Sequence, residues 1–83
     1  MEYYVITFRS VTPAQRGEGI LRKAGYMCSI RRTPRWMENQ GCGYSIRVRC
    51  DKIWDCVRLL QENRVSFRKV YSQKDSGLEE MVL

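Results

Sequence analysis

The chain has 83 residues, of which 43% are hydrophobic, so it has room for one small domain with a single core. Its net charge of +6 fits either an anionic partner (a nucleic acid, a small oxyanion or an acidic protein) or a basic surface that serves solubility alone. The chain contains no histidine, which excludes a cysteine–histidine nucleophile built from this chain alone. Its apolar runs are far shorter than the roughly 20 residues of a membrane-spanning helix, and its first residues lack the basic region of a signal peptide, so we expect a cytoplasmic protein.

The first predicted elements are a strand and a helix. The segment YYVITF places Tyr4, Ile6 and Phe8 on one face, as in a half-buried strand. A helix is then predicted to begin at a cap formed by Thr12 and to end before Gly25, the residue expected in a left-handed conformation. The helix stripe predicted to face the sheet consists of Ala14, Gly17, Leu21 and Ala24.

The middle of the chain predicts two further strands. The segment YMCSIRR places Cys28 and Ile30 on one face. The segment YSIRVRC alternates apolar with polar side chains, so that Arg47 and Arg49 point to the opposite face from their apolar neighbours.

A second helix and a final strand follow. The helix lies in DKIWDCVRLLQEN, with Asp51 as its cap and Asn63 as the residue that closes it. Its apolar stripe consists of Ile53, Cys56, Val57 and Leu60. The segment VSFRKVY predicts the last strand.

The order β-α-β-β-α-β predicts an α+β fold of the ferredoxin-like kind. That fold has a four-stranded antiparallel sheet with both helices on one face, and the other face is open. We expect residues 1–72 to form this single domain. Residues 73–83 are expected to be a C-terminal tail that is either frayed or docked on a neighbour.

The four cysteines differ in their predicted positions. Cys28, Cys50 and Cys56 fall on inward-facing positions, where a reduced cysteine serves as a small hydrophobic residue. Cys42 instead precedes a strand and has a glycine on either side. No two cysteines have C-x2-C or C-x4-C spacing, so we expect no zinc site and predict no metal and no cofactor. The spacing also argues against a dithiol reductase, although a cysteine distant in sequence could still approach Cys42.

A reactive role for Cys42 requires a thiolate, which nearby positive charge or oriented backbone N–H groups can stabilise. The glycine-flanked backbone could form such an N–H nest. Positive charge is available from Arg31, Arg32, Arg35 and Arg47. The alternative is that residues 41–43 are only a turn leading into a strand, and the residues alone leave both interpretations open.

Three segments together resemble a known family of small bacterial single-domain proteins. They are YYVITFRSVTPA, the Thr-Pro-Arg at Thr33 to Arg35, and GCGYSIRV. In this order and in a chain of this size, they resemble the putative selenium/sulfur carrier protein-like family over residues 2–71.

The resemblance implies a carrier, not an enzyme, in which Cys42 holds sulfane sulfur or selenium beside Gly43 and a Pro34–Arg35 loop. Its partners would be the proteins that donate and accept the chalcogen. A persulfide or selenopersulfide is an anion, which arginine and backbone N–H groups stabilise. The predicted site therefore consists of Cys42 with Gly41, Gly43, Thr33, Pro34, Arg35 and Arg47.

Two other classes of function fit the same sequence. The predicted element order, the length and the basic charge are typical of an RNA- or DNA-binding module that uses the open sheet face. However, alignment with the third-strand motif of RNA-recognition domains puts Cys42 and Arg47 where stacking aromatic residues belong. The third class is a small interaction domain, for example one that forms a homodimer through sheet edges.

Overall fold

The structure is a computed structural model, and it describes residues 2–32, 43–74 and 77–81. The elements are β1 (Glu2–Phe8), α1 (Val11–Lys23), β2 (Met27–Arg32), β3 (Tyr44–Cys50), α2 (Ile53–Glu62), β4 (Val70–Lys74) and β5 (Gly77–Met81). The strands form one antiparallel sheet in the order β2-β3-β1-β4-β5. The α+β class is confirmed, and the sheet has five strands where the sequence predicted four.

The additional strand, β5, lies in the segment that the sequence assigned to a C-terminal tail. Its sequence GLEEM has two adjacent glutamates and no β-branched residue, so it carries little strand propensity of its own. It becomes a strand through its pairing with β4, from Lys74↔Gly77 to Val70↔Met81. Gly77 has a φ of +124°, a conformation that strongly favours glycine.

The core lies between the two helices and the face of the sheet that carries the even-numbered residues of β1 and β3. Pairing of Tyr4 with Val48 and of Ile6 with Ile46 aligns these side chains across the two strands. The buried stripes of both helices pack into the same cluster. The predicted faces are confirmed for the buried residues Tyr4, Ile6, Phe8, Ala14, Leu21, Ile46, Val48, Ile53, Val57 and Leu60. Ala24 is wrong as a member of the α1 stripe, because it is the C-cap of the helix and is exposed.

The first helix begins earlier than predicted. It starts at Val11 with Ser10 as the N-cap, so Thr12 lies inside the first turn and is not the cap. Pro13 follows in the same turn, where its missing N–H costs no hydrogen bond. The predicted end is confirmed, because Gly25 has a φ of +97° and the Tyr26 N–H donates to the Leu21 carbonyl at 3.0 Å, as in a Schellman motif.

Both ends of α2 differ from the prediction by one residue. The N-cap is Lys52, not Asp51. The left-handed residue at the other end is Arg64, with a φ of +57°, and not Asn63. The Asn63 side chain instead donates to the Leu59 carbonyl at 2.8 Å, so the amide caps the helix through its side chain.

A β-bulge separates β4 from the segment before it. The N–H of Thr7 donates to the Lys69 carbonyl, whereas the Thr7 carbonyl accepts from the Arg68 N–H, so two residues face one. The Lys69 N–H then donates to the Thr7 hydroxyl at 3.0 Å. This bulge explains why β4 begins at Val70, although VSFRKVY predicted a strand from residue 65.

The edge strand β2 is protected by side chains of α1. The Ile30 N–H donates to the Glu18 carboxylate at 3.1 Å, and the Cys28 carbonyl accepts from the Arg22 guanidinium at 3.1 Å. Glu18 and Arg22 also form an ion pair at 3.5 Å. These main-chain groups are therefore occupied, which opposes pairing of this edge with another strand.

Two glycines of α1 provide a matched test of helix-to-sheet packing. A Cβ on Gly17 would lie 3.2 Å from Ile46 Cδ1 and 3.3 Å from both Leu60 Cδ2 and Phe8 Cζ, whereas a Cβ on Gly19 would meet nothing within 4 Å. We expect Gly19→Ala to stabilise the protein by up to about 1 kcal/mol through helix propensity. Gly17→Ala should instead be destabilising, because overpacking costs about 1–3 kcal/mol. Urea unfolding of both variants checks this, and equal stabilisation by the two would contradict the packing described.

Candidate functional site

The predicted site divides into a part that the structure describes and a part that it does not. Gly43 and Arg47 lie within the described residues. The other predicted site residues, Cys42, Gly41, Thr33, Pro34 and Arg35, lie outside them.

The segment that carries these other residues is attached to two neighbouring strand ends. Thr33 is bonded to Arg32, the last residue of β2, and Cys42 is bonded to Gly43, which precedes β3. Arg32 and Tyr44 are register partners, so the two attachment points lie side by side in the sheet. Gly43 itself is buried, whereas Arg31 and Arg32 are exposed at this end of β2. The strand end next to Cys42 therefore carries positive charge.

Arg47 lies on the sheet face opposite the helices. Its guanidinium carbon is 3.9 Å from the centroid of the Tyr3 ring, and its Nε donates to the Gln73 side-chain oxygen at 3.1 Å. Tyr3 is the register partner of both Arg49 and Gln73, so this guanidinium leans along β3 away from Gly43. A direct contact of Arg47 with an anion on Cys42 stays a prediction.

Cys28 is half-buried at the edge of the sheet, because its strand has a neighbour on only one side. Its Sγ donates to the Glu18 carbonyl at 3.7 Å. Burial raises the pKa of this thiol, although the Arg22 guanidinium acts in the opposite direction. Cys28 is therefore mostly a neutral thiol at physiological pH.

Cys50 and Cys56 lie together in the core, as their predicted inward positions required. They also influence each other in a way that the sequence did not predict. Burial is the main cause that raises the pKa of the Cys56 thiol to about 12, the neighbouring Cys50 acts in the same direction, and the Tyr26 hydroxyl acts in the opposite direction. No spacing rule links residues six apart across a strand–helix boundary, so the sequence carried no signal for this pair.

The thiol pair lies far from the predicted site. Cys50 ends β3 and Gly43 precedes it, and a strand rises about 3.3 Å per residue, so their backbones are about 23 Å apart. Neither thiol of the pair lies near Gly43, the described residue that precedes β3. The three described cysteines are thus buried or half-buried, and burial raises the pKa of both Cys28 and Cys56.

Metal binding finds no support in the part of the chain that the structure describes. No group of three or more cysteine, aspartate or glutamate side chains among residues 2–32, 43–74 and 77–81 could hold a metal ion. The two helices there are also too short or too polar to span a membrane.

The fold and the placement of the cysteines define a small α+β protein whose candidate site is a single thiol beside a strand end. A family model described as "Putative Se/S carrier protein-like" matches residues 3–72, which is most of the chain. The chain belongs to this family, and the resemblance inferred from the sequence is confirmed. No curated protein and no solved structure matches the chain.

The raised pKa of Cys56 predicts a stability that depends on pH. An unfolded cysteine has a pKa near about 8.5, so the stabilisation is complete below that pH and is lost as the pH rises towards 12. Between pH 7.5 and pH 10 the free energy of unfolding should fall by about 2 kcal/mol from this thiol alone. Urea unfolding at the two pH values checks this, with Cys56→Ala as the control that lacks most of this fall. Parallel pH profiles of the two proteins would contradict the prediction.

Proposed function

We propose that this protein carries sulfur or selenium on Cys42, as a persulfide or selenopersulfide, between a donor and an acceptor protein. The observation that carries this proposal is the family match, because it spans residues 3–72 and so includes Cys42. The described cysteines support it by elimination. Cys50 and Cys56 are buried, and Cys28 is half-buried with a raised pKa, which leaves Cys42 as the thiol best suited to the chemistry.

The transfer needs no external oxidant or reductant. The Cys42 thiolate attacks the outer sulfur of a persulfide on the donor, so a new S–S bond forms to Cys42 while the donor's S–S bond breaks. The donor leaves as a thiolate and takes up a proton from solvent. Delivery to the acceptor repeats the same exchange, with Cys42 as the leaving thiolate. The selenium reaction follows the same balance with a selenium atom as the outer chalcogen.

The anion on Cys42 needs compensating positive charge. We propose that Arg35 supplies it, with a hydrogen bond from Thr33 and backbone N–H groups of Gly41 and Gly43. Pro34 would restrict the loop next to Arg35. The exposed Arg31 and Arg32 at the end of β2 support this assignment, because both bring positive charge to the strand end from which the segment continues.

A carrier role is consistent with the fold. We propose that the protein is not an enzyme and that it works in the cytoplasm, where thiols stay reduced. The order β2-β3-β1-β4 is the order of a ferredoxin-like sheet, to which β5 would be an addition. Self-association through sheet edges is the less favoured alternative, because helix side chains occupy main-chain groups of the edge strand β2.

The proposal predicts a mass change that depends on one residue. After incubation with a cysteine desulfurase and cysteine, or with a selenocysteine lyase and selenocysteine, the intact protein should gain one sulfur or one selenium atom. Cys42→Ser should gain none. A variant with Cys28→Ser, Cys50→Ala and Cys56→Ala should gain as much as the wild type, because those thiols take no part in the reaction.

The triple variant is the control for a merely structural effect, since it changes three buried or half-buried positions and keeps Cys42. Circular dichroism would show that it and Cys42→Ser are folded. A wild-type protein with free thiols that gains no chalcogen from any donor would contradict the proposed function. So would an adduct that persists in Cys42→Ser.

A further inference from the structure

We propose that a patch of three arginines on the sheet face opposite the helices docks an acidic surface of the protein that donates or accepts the chalcogen. This arginine patch consists of Arg31, Arg47 and Arg49. The inference rests on the proposed function, because it names the kind of partner that brings sulfur or selenium to Cys42.

The strand register places the three arginines next to one another. Arg47 and Arg49 are two residues apart on β3, and both point to this face. Arg31 pairs with Ser45 on the neighbouring strand, so it lies diagonally from Arg47, a spacing of about 7–8 Å between backbones. Arg31 and Arg49 are exposed, and Arg47 is half-exposed.

No carboxylate among the described residues pairs with any of the three guanidinium groups. The ion pairs of Arg22 with Glu18 and of Lys69 with Glu80 do not involve the patch. Three neighbouring like charges without counter-charges from the described residues repel one another, which is a cost that an acidic partner would relieve. The patch is therefore complementary in charge to a surface rich in aspartate and glutamate.

One arginine of the patch is held in place before any partner binds. Arg47 stacks on the Tyr3 ring at 3.9 Å and donates to Gln73 at 3.1 Å, and Arg49 lies 5.8 Å from the same ring. A guanidinium whose Nε is already engaged keeps its outer N–H groups for a carboxylate, which it can bind in a bidentate manner. Preorganisation of this kind lowers the entropy lost on docking.

The aromatic residues of this face favour a protein partner over a nucleic acid. Single-stranded nucleic acids bind on free aromatic rings, and each stacked base contributes about 1–3 kcal/mol. Among the described residues, this face has two aromatic side chains, Tyr3 and Tyr71. Arg47 covers Tyr3, and Tyr71 is only 8% exposed. Neither ring offers a free stacking surface.

The patch is close enough to Gly43 for one partner to cover both. Gly43, the residue bonded to Cys42, is four residues from Arg47 and six from Arg49, or about 13 Å and 20 Å along β3. A typical protein interface buries about 800 Å² on each partner, which corresponds to a patch nearly 30 Å across. One acidic partner could therefore contact the arginines while its persulfide reaches Cys42.

The test measures the rate at which Cys42 is loaded by two kinds of donor. One is a cysteine desulfurase with cysteine, and the other is a low-molecular-weight organic persulfide, which needs no docking surface. The test variant is Arg49→Glu, which leaves the Arg47 contacts intact and keeps Arg31, whose charge lies at the strand end next to the proposed site. The control is Arg58→Glu, which changes the net charge equally at an exposed helix position. Thermal unfolding would show that both are folded.

We expect the patch variant to slow loading from the desulfurase at least about tenfold at low salt, with the difference shrinking as salt screens the charges. The control should slow it less than about twofold, and both variants should react with the small persulfide within about threefold of the wild type.

Equal rates of loading by the desulfurase for the patch variant and the control would overturn the docking inference alone. The same would follow if the small persulfide loaded the wild-type protein and the desulfurase did not. No loading from either donor would overturn the proposed function and the inference with it. A fluorescent single-stranded oligonucleotide is the third probe. Oligonucleotide binding that the patch variant loses, with desulfurase loading unchanged, would show a nucleic-acid surface and contradict the inference.

Discussion

The pairing of β3 with strands on both sides is the constraint on which the rest of the structure depends. Its register with β1 and β2 is fixed over its whole length, so the side chains of β3 cannot exchange faces without disrupting both pairings. The core therefore receives the side chains of Ile46, Val48 and Cys50, which pack on the helix side of the sheet. The opposite face of the sheet carries Arg47 and Arg49. β3 thus contributes side chains both to the core and to the arginine patch.

The same strand separates two kinds of thiol. At its far end Cys50 lies in the core near Cys56, where both thiols are buried and burial raises the pKa of Cys56. At its near end the chain leaves the sheet through Gly43 into the segment that contains Cys42. Because the two ends are about 20 Å or more apart, reactivity at one end and inertness at the other can coexist in a chain with four cysteines.

Much of this fold could be predicted from the sequence because its signals are local. Alternation identified β1 and β3, helical spacing identified both buried stripes, and Gly25 marked the end of α1. β5 could not be predicted, since GLEEM has little strand propensity and depends on pairing with β4. The bulge at Thr7 likewise depends on a partner more than 60 residues away.

The candidate site rests on sequence signals of a different kind, and its assignment to Cys42 stays a prediction. Cys42 was singled out by its flanking glycines and by the family resemblance, and the core positions of Cys50 and Cys56 were predicted from spacing. The influence of those two thiols on each other and the stacking of Arg47 on Tyr3 could not be predicted, because both need the three-dimensional register. The separation of the thiols and the arginine patch could therefore be recognised only from the structure.

Peptide-resolved alkylation of the native protein tests the central claim most directly, namely that Cys42 is the reactive thiol and that the fold protects the other cysteines. Brief treatment with iodoacetamide near neutral pH, a quench, unfolding and a second isotopic label would give a rate for each cysteine. The account predicts that Cys42 reacts fastest and Cys28 slowly, with Cys50 and Cys56 protected until the protein unfolds. A native protein in which Cys50 or Cys56 reacts as fast as Cys42 would contradict it.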